Sequence, residues 1–433
     1  MRVLAGLGLI LMAGGVMHAQ PTYSREISRI FQAKCVQCHR PGDIAPFALT
    51  TFDLASTWAP DIKRVVTEGL MPPWKPVEGH GKFVDSFALT ADEKQQILDW
   101  VNAGAPQGEE ADLPPAVENK ADWPLGDPDK MLAMPAPFAA PRGRDLYRCF
   151  VLDPKLEDDK FLAAVDYLPG NRKSVHHIIL YLDESGDAEK KEGADGSPGY
   201  DCYGGPGVSL VGGSGAQNSL NSLLGFNYAL GGWAPGSRTR LLPENIGIKL
   251  SKRAKIVMQI HYFTALSTEP DQTRIGLYYS KKPVEKSMYF LPMVQTRLAI
   301  PADNPNYKAE FEFMVPILLD AQAINIFPHM HLLGRDIKAW VDLPNGGGSQ
   351  PLVWINNWDF NWQGSYTYEK PVELPAFSRI KMTCTYDNSA QNPRNPSSPP
   401  KLVRWGEGTE DEMCVAFLGV TFKNENLLSL ILR

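Results

Sequence analysis

Cys35, Cys38 and His39 form the pattern Cys-x-x-Cys-His near the N-terminus. This spacing is typical of covalent haem attachment, because each thiol adds to one vinyl group of the porphyrin and the histidine follows as an axial ligand of the iron. A redox Cys-x-x-Cys usually lies in a βαβ context, and a zinc site needs a second Cys/His pair. Neither context is evident, so the pattern predicts a haem of the c type.

A sixth ligand for this haem is predicted at Met71, in the segment Met71-Pro72-Pro73-Trp74. A thioether on a loop stiffened by proline is a common partner of such an iron, and His80 is the rival ligand. Ser24 can cap a helix that leads into the cysteines, and the capping box at Thr90 begins another. The segment 21–106 resembles class I cytochromes c in their short bacterial form.

Histidines are grouped elsewhere in the chain: five of the 8 occur as His176-His177, His261 and His329-Met330-His331. A lone histidine is more often a satisfied core residue, but close pairs are not explained in this way. In a strand, His329 and His331 point to the same face, as two ligands of one metal must. Adjacent histidines point to opposite faces, so joint ligation by His176 and His177 requires a bulge, a strand end or use of the inner ring nitrogens.

The chemistry of the candidate ligands narrows the choice of metal. Three imidazoles suit zinc or copper equally well. A thioether in a second site selects copper, since methionine is too soft a ligand for zinc or magnesium. The segment Glu410-Asp411-Glu412-Met413-Cys414 offers Met413 as such a ligand.

These segments together resemble the copper type II, ascorbate-dependent monooxygenases, the family of dopamine β-monooxygenase and peptidylglycine α-hydroxylating monooxygenase. The resemblance covers about 150 to 425, and the ligand positions of the family match in order, in the segments Val175-His176-His177, Gln259-Ile260-His261-Tyr262, His329-Met330-His331-Leu332 and Asp411-Glu412-Met413-Cys414. It implies that His176, His177 and His261 hold an electron-transfer copper, and that His329, His331 and Met413 hold a catalytic copper that binds O2. It also implies two sites that face each other across a solvent-filled cleft, and a disulfide between Cys384 and Cys414.

The chain departs from the peptide-amidating members of this family at the substrate carboxylate clamp. The clamp positions are occupied here by Phe327, Val415 and Phe417, which carry no charge and offer only backbone groups for hydrogen bonds. Peptide amidation is therefore not expected, and the substrate is predicted to be more apolar or neutral.

The two remaining cysteines are Cys149 and Cys202. In an exported protein, a leftover pair of cysteines is most often a disulfide, and neither residue has a basic or metal-like setting. We therefore predict a Cys149–Cys202 disulfide.

The elements that must position these residues divide the chain into five parts: an export signal (1–20), an all-α cytochrome c domain (21–106), a Pro-rich linker (107–144), and two all-β antiparallel sandwiches of jelly-roll type (145–285 and 286–433). The first residues join a basic start to an apolar run that is too short for a membrane span. Short alternating runs separated by turn signals predict the sandwiches. The resemblance places one copper site in each sandwich.

A formal charge of −6 argues against nucleic acid or an anionic membrane as partner, and no membrane span is expected after signal removal. The predicted protein is periplasmic or secreted and contains haem c and two copper ions. Its partners are O2, a small-molecule substrate and an external electron donor to the haem. Two alternatives stay open: an electron-transfer protein without oxygenase activity, and a copper-binding or storage protein with a haem sensor.

Overall fold

A computed structural model describes residues 20–41, 45–84, 86–116, 123–143, 145–208, 229–235, 237, 239–263, 269–316 and 320–425. The predicted export signal lies outside the described residues, apart from Gln20. The chain divides into two compact units. The first comprises Met1–Pro72 with Phe87–Val117, and the second comprises Pro73–Ser86 with Glu118–Arg433.

The described part of the first unit is helical. Its elements are a π-helical turn (Tyr23–Ile27), α1 (Ser28–Lys34), α2 (Phe52–Thr57), α3 (Ala59–Thr67), α4 (Ala91–Asn102) and a 3-10 turn (Glu110–Asp112). Thr90 caps α4 through the predicted capping box, in which its hydroxyl accepts the Glu93 N–H and the Glu93 carboxylate accepts the Thr90 N–H. Thr22, not Ser24, caps the first helical segment.

The core of the first unit forms where the apolar faces of its helices meet. Ile27 and Phe31 from the N-terminal helical segment pack with Ile97 and Trp100 of α4, and all four side chains are fully buried or nearly so. None of the helices among the described residues has both the length and the apolar composition needed to cross a bilayer.

The second unit is built from strands. The first nine are β1 (Lys130–Ala133), β2 (Asp145–Leu152), β3 (Lys160–Leu168), β4 (Val175–Asp183), β5 (Tyr200–Asp201), β6 (Ala229–Trp233), β7 (Ile246–Leu250), β8 (Lys255–Phe263) and β9 (Arg274–Tyr279). The others are β10 (Lys286–Val294), β11 (Ala299–Ile300), β12 (Asn304–Met314), β13 (Ala321–His329), β14 (Gly334–Asp342), β15 (Ser349–Ile355), β16 (Tyr366–Leu374), β17 (Arg379–Asn388), β18 (Val403–Arg404) and β19 (Val415–Phe422), with a 3-10 turn at Pro344–Gly346.

The larger sheets form two sandwiches that share one sheet. An eight-stranded sheet has the order β1-β9-β3-β7-β10-β19-β13-β16, a five-stranded sheet β5-β2-β8-β4-β6, and a four-stranded sheet β12-β17-β14-β15. One apolar core joins the five-stranded sheet to β3, β7 and β9, and a second joins the four-stranded sheet to β10, β13, β16 and β19. The β7–β10 pairing is parallel, with Lys286 opposite Ile246, and it makes the shared sheet continuous at the predicted domain boundary.

Two segments that we assigned outside the sandwiches are part of the second unit. Strand β1, within the predicted linker, pairs with β9 through Leu132 and Ile275. We call residues Pro73–Val84, within the predicted cytochrome range, the strap. The strap extends the exposed edge of β16, because the Val84 N–H donates to the Thr367 carbonyl and Phe83 forms a bridge with Tyr368.

Candidate metal centre

His176, His177 and His261 lie on the neighbouring strands β4 and β8. Their register shifts between Val175 and His177, so His176 is the extra residue of a bulge and His177 pairs with His261. The Nδ1 of His177 lies 3.3 Å from Nδ1 of His176 and 3.4 Å from Nδ1 of His261. One ligand atom from each residue lies within 4.8 Å of the others. The bulge and the inner ring nitrogens together bring adjacent histidines to one point.

The remaining nitrogen of His261 has a partner from β2. The Nε2 of His261 lies 2.6 Å from Oδ1 of Asp145, and the ring of Tyr147 stacks on His261 at 4.2 Å. Burial opposes ionisation of Asp145, but hydrogen bonds from His261 and Thr409 lower the pKa of its carboxyl to about 2. Burial also lowers the pKa of His176 to about 3, so this imidazole is neutral at pH 7, as a metal ligand must be.

His329 and His331 form a second group at the end of β13. Their ring centroids are 5.0 Å apart, and each uses Nδ1 for a hydrogen bond: His329 to Oε1 of Gln363, and His331 to the Asp411 carbonyl at 3.0 Å. The Nε2 atoms of both rings remain available to bind a metal. Burial lowers the pKa of His329 to about 3 and that of His331 to about 4, which keeps both rings neutral.

Met413 lies on the loop between β18 and β19, residues 405–414, which we call the Met413 loop. His329 pairs with Val415 across the antiparallel β13–β19 ladder, so the chain after His329 and the chain before Val415 run side by side. The Met413 carbonyl accepts a hydrogen bond from the Tyr386 hydroxyl at 2.8 Å. Cys414, the next residue, is joined to Cys384 of β17 in a disulfide.

Glu412 joins the Met413 loop to the turn after His331. Its buried carboxylate accepts the backbone N–H of His331 at 3.0 Å, of Leu333 at 2.6 Å and of Met413 at 3.2 Å. Burial raises the pKa of this carboxyl to about 8, although these N–H groups act in the opposite direction. One side chain therefore holds both parts of the second group in place.

The two histidine groups are neighbours. The ring centroids of His177 and His329 are 5.9 Å apart, and the ring of Phe360 stacks on His176 at 4.6 Å and lies 5.9 Å from His331. The resemblance implied two sites across a solvent-filled cleft, whereas here the nearest ring centroids of the two groups are 5.9 Å apart.

Hydrogen bonds between the two sandwiches hold the two histidine groups close together. The Met413 loop is bound by Asp145, whose Oδ2 accepts the Thr409 N–H at 2.9 Å, and by Tyr147, whose hydroxyl donates to the Glu407 carbonyl at 2.7 Å. The Tyr203 hydroxyl also donates to Oδ2 of Asp411. The second disulfide, Cys149–Cys202, joins β2 to the residue before Tyr203.

The chemistry of this donor set fits copper. The first group presents only imidazole nitrogens, and the second presents two more beside a methionine-bearing loop, whereas calcium and magnesium require oxygen ligands. Burial of the histidines favours a metal that keeps few waters.

In the first unit, Cys35 and Cys38 are not joined in a disulfide, in contrast to the other four cysteines. The backbone turns here, because the N–H groups of Cys38 and His39 both donate to the Cys35 carbonyl. Nδ1 of His39 lies 3.1 Å from the Phe47 carbonyl, which leaves Nε2 for an axial bond. These residues fit a covalently held haem.

The two rival sixth ligands lie in different units. Met71 follows α3 in the first unit and is 42% exposed. His80 lies in the strap, where its ring packs against Trp354 of β15 at 4.6 Å.

The positions of the missing carboxylate clamp are apolar in the structure as well. Phe327 pairs with Phe417 across the β13–β19 ladder, and their rings stack with centroids 6.5 Å apart. Phe327 is two residues before His329 and therefore shares its strand face.

Comparison with known proteins gives one family match. Residues 288–423 match the family model of the copper type II ascorbate-dependent monooxygenase, C-terminal domain. The match begins in β10, ends just after β19 and includes His329, His331 and Met413. Together with the histidine cluster, it supports copper as the metal and a monooxygenase type of function for this region.

Two solved structures are distantly similar to this chain. The major capsid protein P2 from bacteriophage PM2 shares 10% identity at a TM-score of 0.27, over 69% of this chain and 98% of that chain. The VP2 subviral particle of infectious bursal disease virus shares 10% identity at a TM-score of 0.22, over 70% of this chain and 73% of that chain. Neither bears on the function.

Sequence reasoning missed Asp145, Phe360, Gln363 and Glu412, each of which holds or packs against a candidate ligand. Glu412 could have been noticed, because it directly precedes Met413 in an acidic run. Asp145 and Gln363 have no sequence signal, since they are distant from their histidines along the chain.

Proposed function

We propose that this chain is an exported haem- and copper-containing monooxygenase that hydroxylates a C–H bond of a small molecule with O2. One observation carries the proposal. His176, His177 and His261 converge with His329 and His331 beside the Met413 loop, in a chain whose residues 288–423 match a copper monooxygenase domain.

Within this proposal, His176, His177 and His261 hold an electron-transfer copper through Nδ1. His329 and His331 hold the O2-binding copper through Nε2, with the Met413 thioether as the third ligand. When bound, copper supplies the one-electron chemistry that lets O2 react with a C–H bond. The reaction R–H + O2 + 2 e− + 2 H+ → R–OH + H2O needs two electrons from outside.

The haem is proposed as the entry point for these electrons. Cys35 and Cys38 would bind it covalently, His39 would be one axial ligand, and Met71 the other. An external donor would reduce the haem, which would then deliver single electrons to the copper held by the first histidine group. Stopped-flow mixing of reduced haem with oxidised copper tests this step, and a haem that is not reoxidised on the turnover timescale would contradict it.

Two disulfides fit an oxidising compartment, and we propose a periplasmic or secreted location. N-terminal sequencing of the mature protein should find a start near Gln20. A mature chain that still begins at Met1 would contradict export by a cleaved signal.

Metal analysis is the first test of the whole proposal. We expect one haem, by its alkaline pyridine spectrum, and two coppers per chain. A chain that retains zinc in place of copper would contradict the proposal.

Oxygen uptake is the second test. Met413→Ala should abolish substrate-dependent O2 uptake and leave the copper of the first group bound. Met314→Ala is the matched control, because Met314 ends β12 and is 52% exposed, and it should keep full uptake.

The alternative, an electron-transfer or copper-binding protein without oxygenase activity, is favoured by one observation. Phe327, Val415 and Phe417 occupy the clamp positions and leave no charged group there to hold a substrate. It predicts two bound coppers and rapid haem reoxidation, with no O2 uptake for any substrate screened.

A further inference from the structure

Asp145, the first residue of β2, uses its two carboxylate oxygens for two different partners. Oδ1 lies 2.6 Å from Nε2 of His261, and Oδ2 accepts the backbone N–H of Thr409 at 2.9 Å. The first partner belongs to the His176, His177 and His261 group, and the second lies on the Met413 loop.

The bond to His261 determines which nitrogen of this ring carries the proton. A carboxylate oxygen can only accept this hydrogen bond, so Nε2 of His261 carries a proton and only Nδ1 can offer a lone pair to a metal. The lone pair is then on Nδ1, the atom that lies 3.4 Å from Nδ1 of His177. The stacked ring of Tyr147 holds this orientation.

The bond to Thr409 restrains the loop that carries Met413. Thr409 lies between β18 and β19, four residues before Met413 in the chain. A second bond from β2, from the Tyr147 hydroxyl to the Glu407 carbonyl, restrains the same loop. The carboxylate of Asp145 is thus in direct contact with one metal ligand and with the loop of another.

We propose that Asp145 is a positioning residue shared by the two metal sites: it fixes His261 in the tautomer that binds metal through Nδ1, and it holds the Met413 loop against the first group. This inference rests on the proposed function, because it concerns the binding of copper. It predicts that a single carboxylate affects ligands in both sandwiches.

Asp145→Asn tests the proposal, because an amide cannot serve both partners. If its NH2 faces His261, it donates to Nε2 and moves the proton to Nδ1, and if its NH2 faces Thr409, two donors oppose each other. We expect the dissociation constant for Cu(II) at the first group to rise roughly 10- to 100-fold. The copper–sulfur shell in the X-ray absorption of the Cu(I) protein should also weaken, which a change confined to His261 would not produce.

Asp158→Asn is the matched control. It makes the same change at an exposed acid, so copper affinity should stay within roughly threefold of the native value. Circular dichroism of each variant verifies the fold.

A second measurement uses the native chain and does not depend on any variant folding. With 15N-labelled histidine in the metal-free protein, the ring nitrogen shifts of His261 should report a protonated Nε2. A protonated Nδ1 would overturn the proposal, as would native copper affinity and an unchanged sulfur shell in Asp145→Asn. If the native chain itself binds no copper, the proposed function fails. Copper binding by a native chain whose His261 has a protonated Nδ1 contradicts only the role of Asp145.

Discussion

The rings of His177 and His329 lie 5.9 Å apart, although the two residues belong to different sandwiches and different predicted metal sites. Copper ions held by these two residues would be close enough for their unpaired electrons to interact.

The electron paramagnetic resonance spectrum of the protein with two Cu(II) ions should not equal the sum of the spectra of the separate sites. Dipolar coupling between neighbouring ions should broaden it, and His329→Ala, which removes a ligand of the second site, should restore the narrow spectrum of the first. Additive spectra in the native protein would contradict the arrangement described here.

Replacement of Glu412 by Ala should destabilise the second unit. The buried carboxyl group of Glu412 accepts N–H groups from His331, Leu333 and Met413, and alanine leaves all three without this acceptor. Urea unfolding of the metal-free protein should show a loss of about 1–3 kcal/mol. Glu410→Ala, at an exposed salt bridge with Lys401, should change the free energy of unfolding by less than about 0.5 kcal/mol.

The strap should stabilise the edge of the second sandwich. Phe83 is buried, with ring centroids 5.3 Å from those of Tyr366 and Tyr368. Phe83→Ala should cost about 3–5 kcal/mol locally, seen as faster hydrogen exchange in β16. Val84→Ala, at a 38% exposed position, should leave this exchange nearly unchanged. Equal effects of the two variants would mean that Phe83 does not anchor the strap.

Acid should weaken the ion pair of Asp195 with Arg148. Hydrogen bonds from Arg148, at 2.7 and 2.8 Å, lower the pKa of the Asp195 carboxyl from 3.8 to about 2. Because the folded pKa is below the unfolded one, the pair stabilises the fold above pH 4, and this contribution is lost as the pH falls towards 2. The difference in urea midpoint between native and Asp195→Asn protein should shrink over this range. A difference that stays constant would refute this origin, and Asp158→Asn, at an exposed acid, is the control.

Local sequence patterns were sufficient for predictions that depend only on residues close together in the chain. The capping box at Thr90 forms because both of its bonds join residues three apart. The Cys-x-x-Cys-His turn and the closeness of His329 and His331 depend on the same kind of short spacing, and the roles of these residues as metal ligands stay a prediction. The strands alternate as expected, since burial of one face requires a period of two.

Long-range pairing was beyond such patterns. Chain order places the strap in the cytochrome, because it lies between two cytochrome helices, yet its backbone hydrogen bonds lead to β15 and β16. The predicted linker contains β1 for the same reason, because a short strand has little signal until its partner β9 is known. The predicted boundary between the two sandwich domains, at residues 285/286, separates β7 from β10, but these strands pair and join the two sandwiches in one sheet.

By itself, the sequence identified the candidate side chains for haem and copper, because thiol, imidazole and thioether groups and their close spacing can be read directly from the chain. Only the tertiary structure decided how these groups meet. The bulge at His176, the carboxylates of Asp145 and Glu412, and the 5.9 Å between His177 and His329 all depend on strands distant in sequence. Such contacts arise from sheet register and packing, which involve the whole fold and not any short segment.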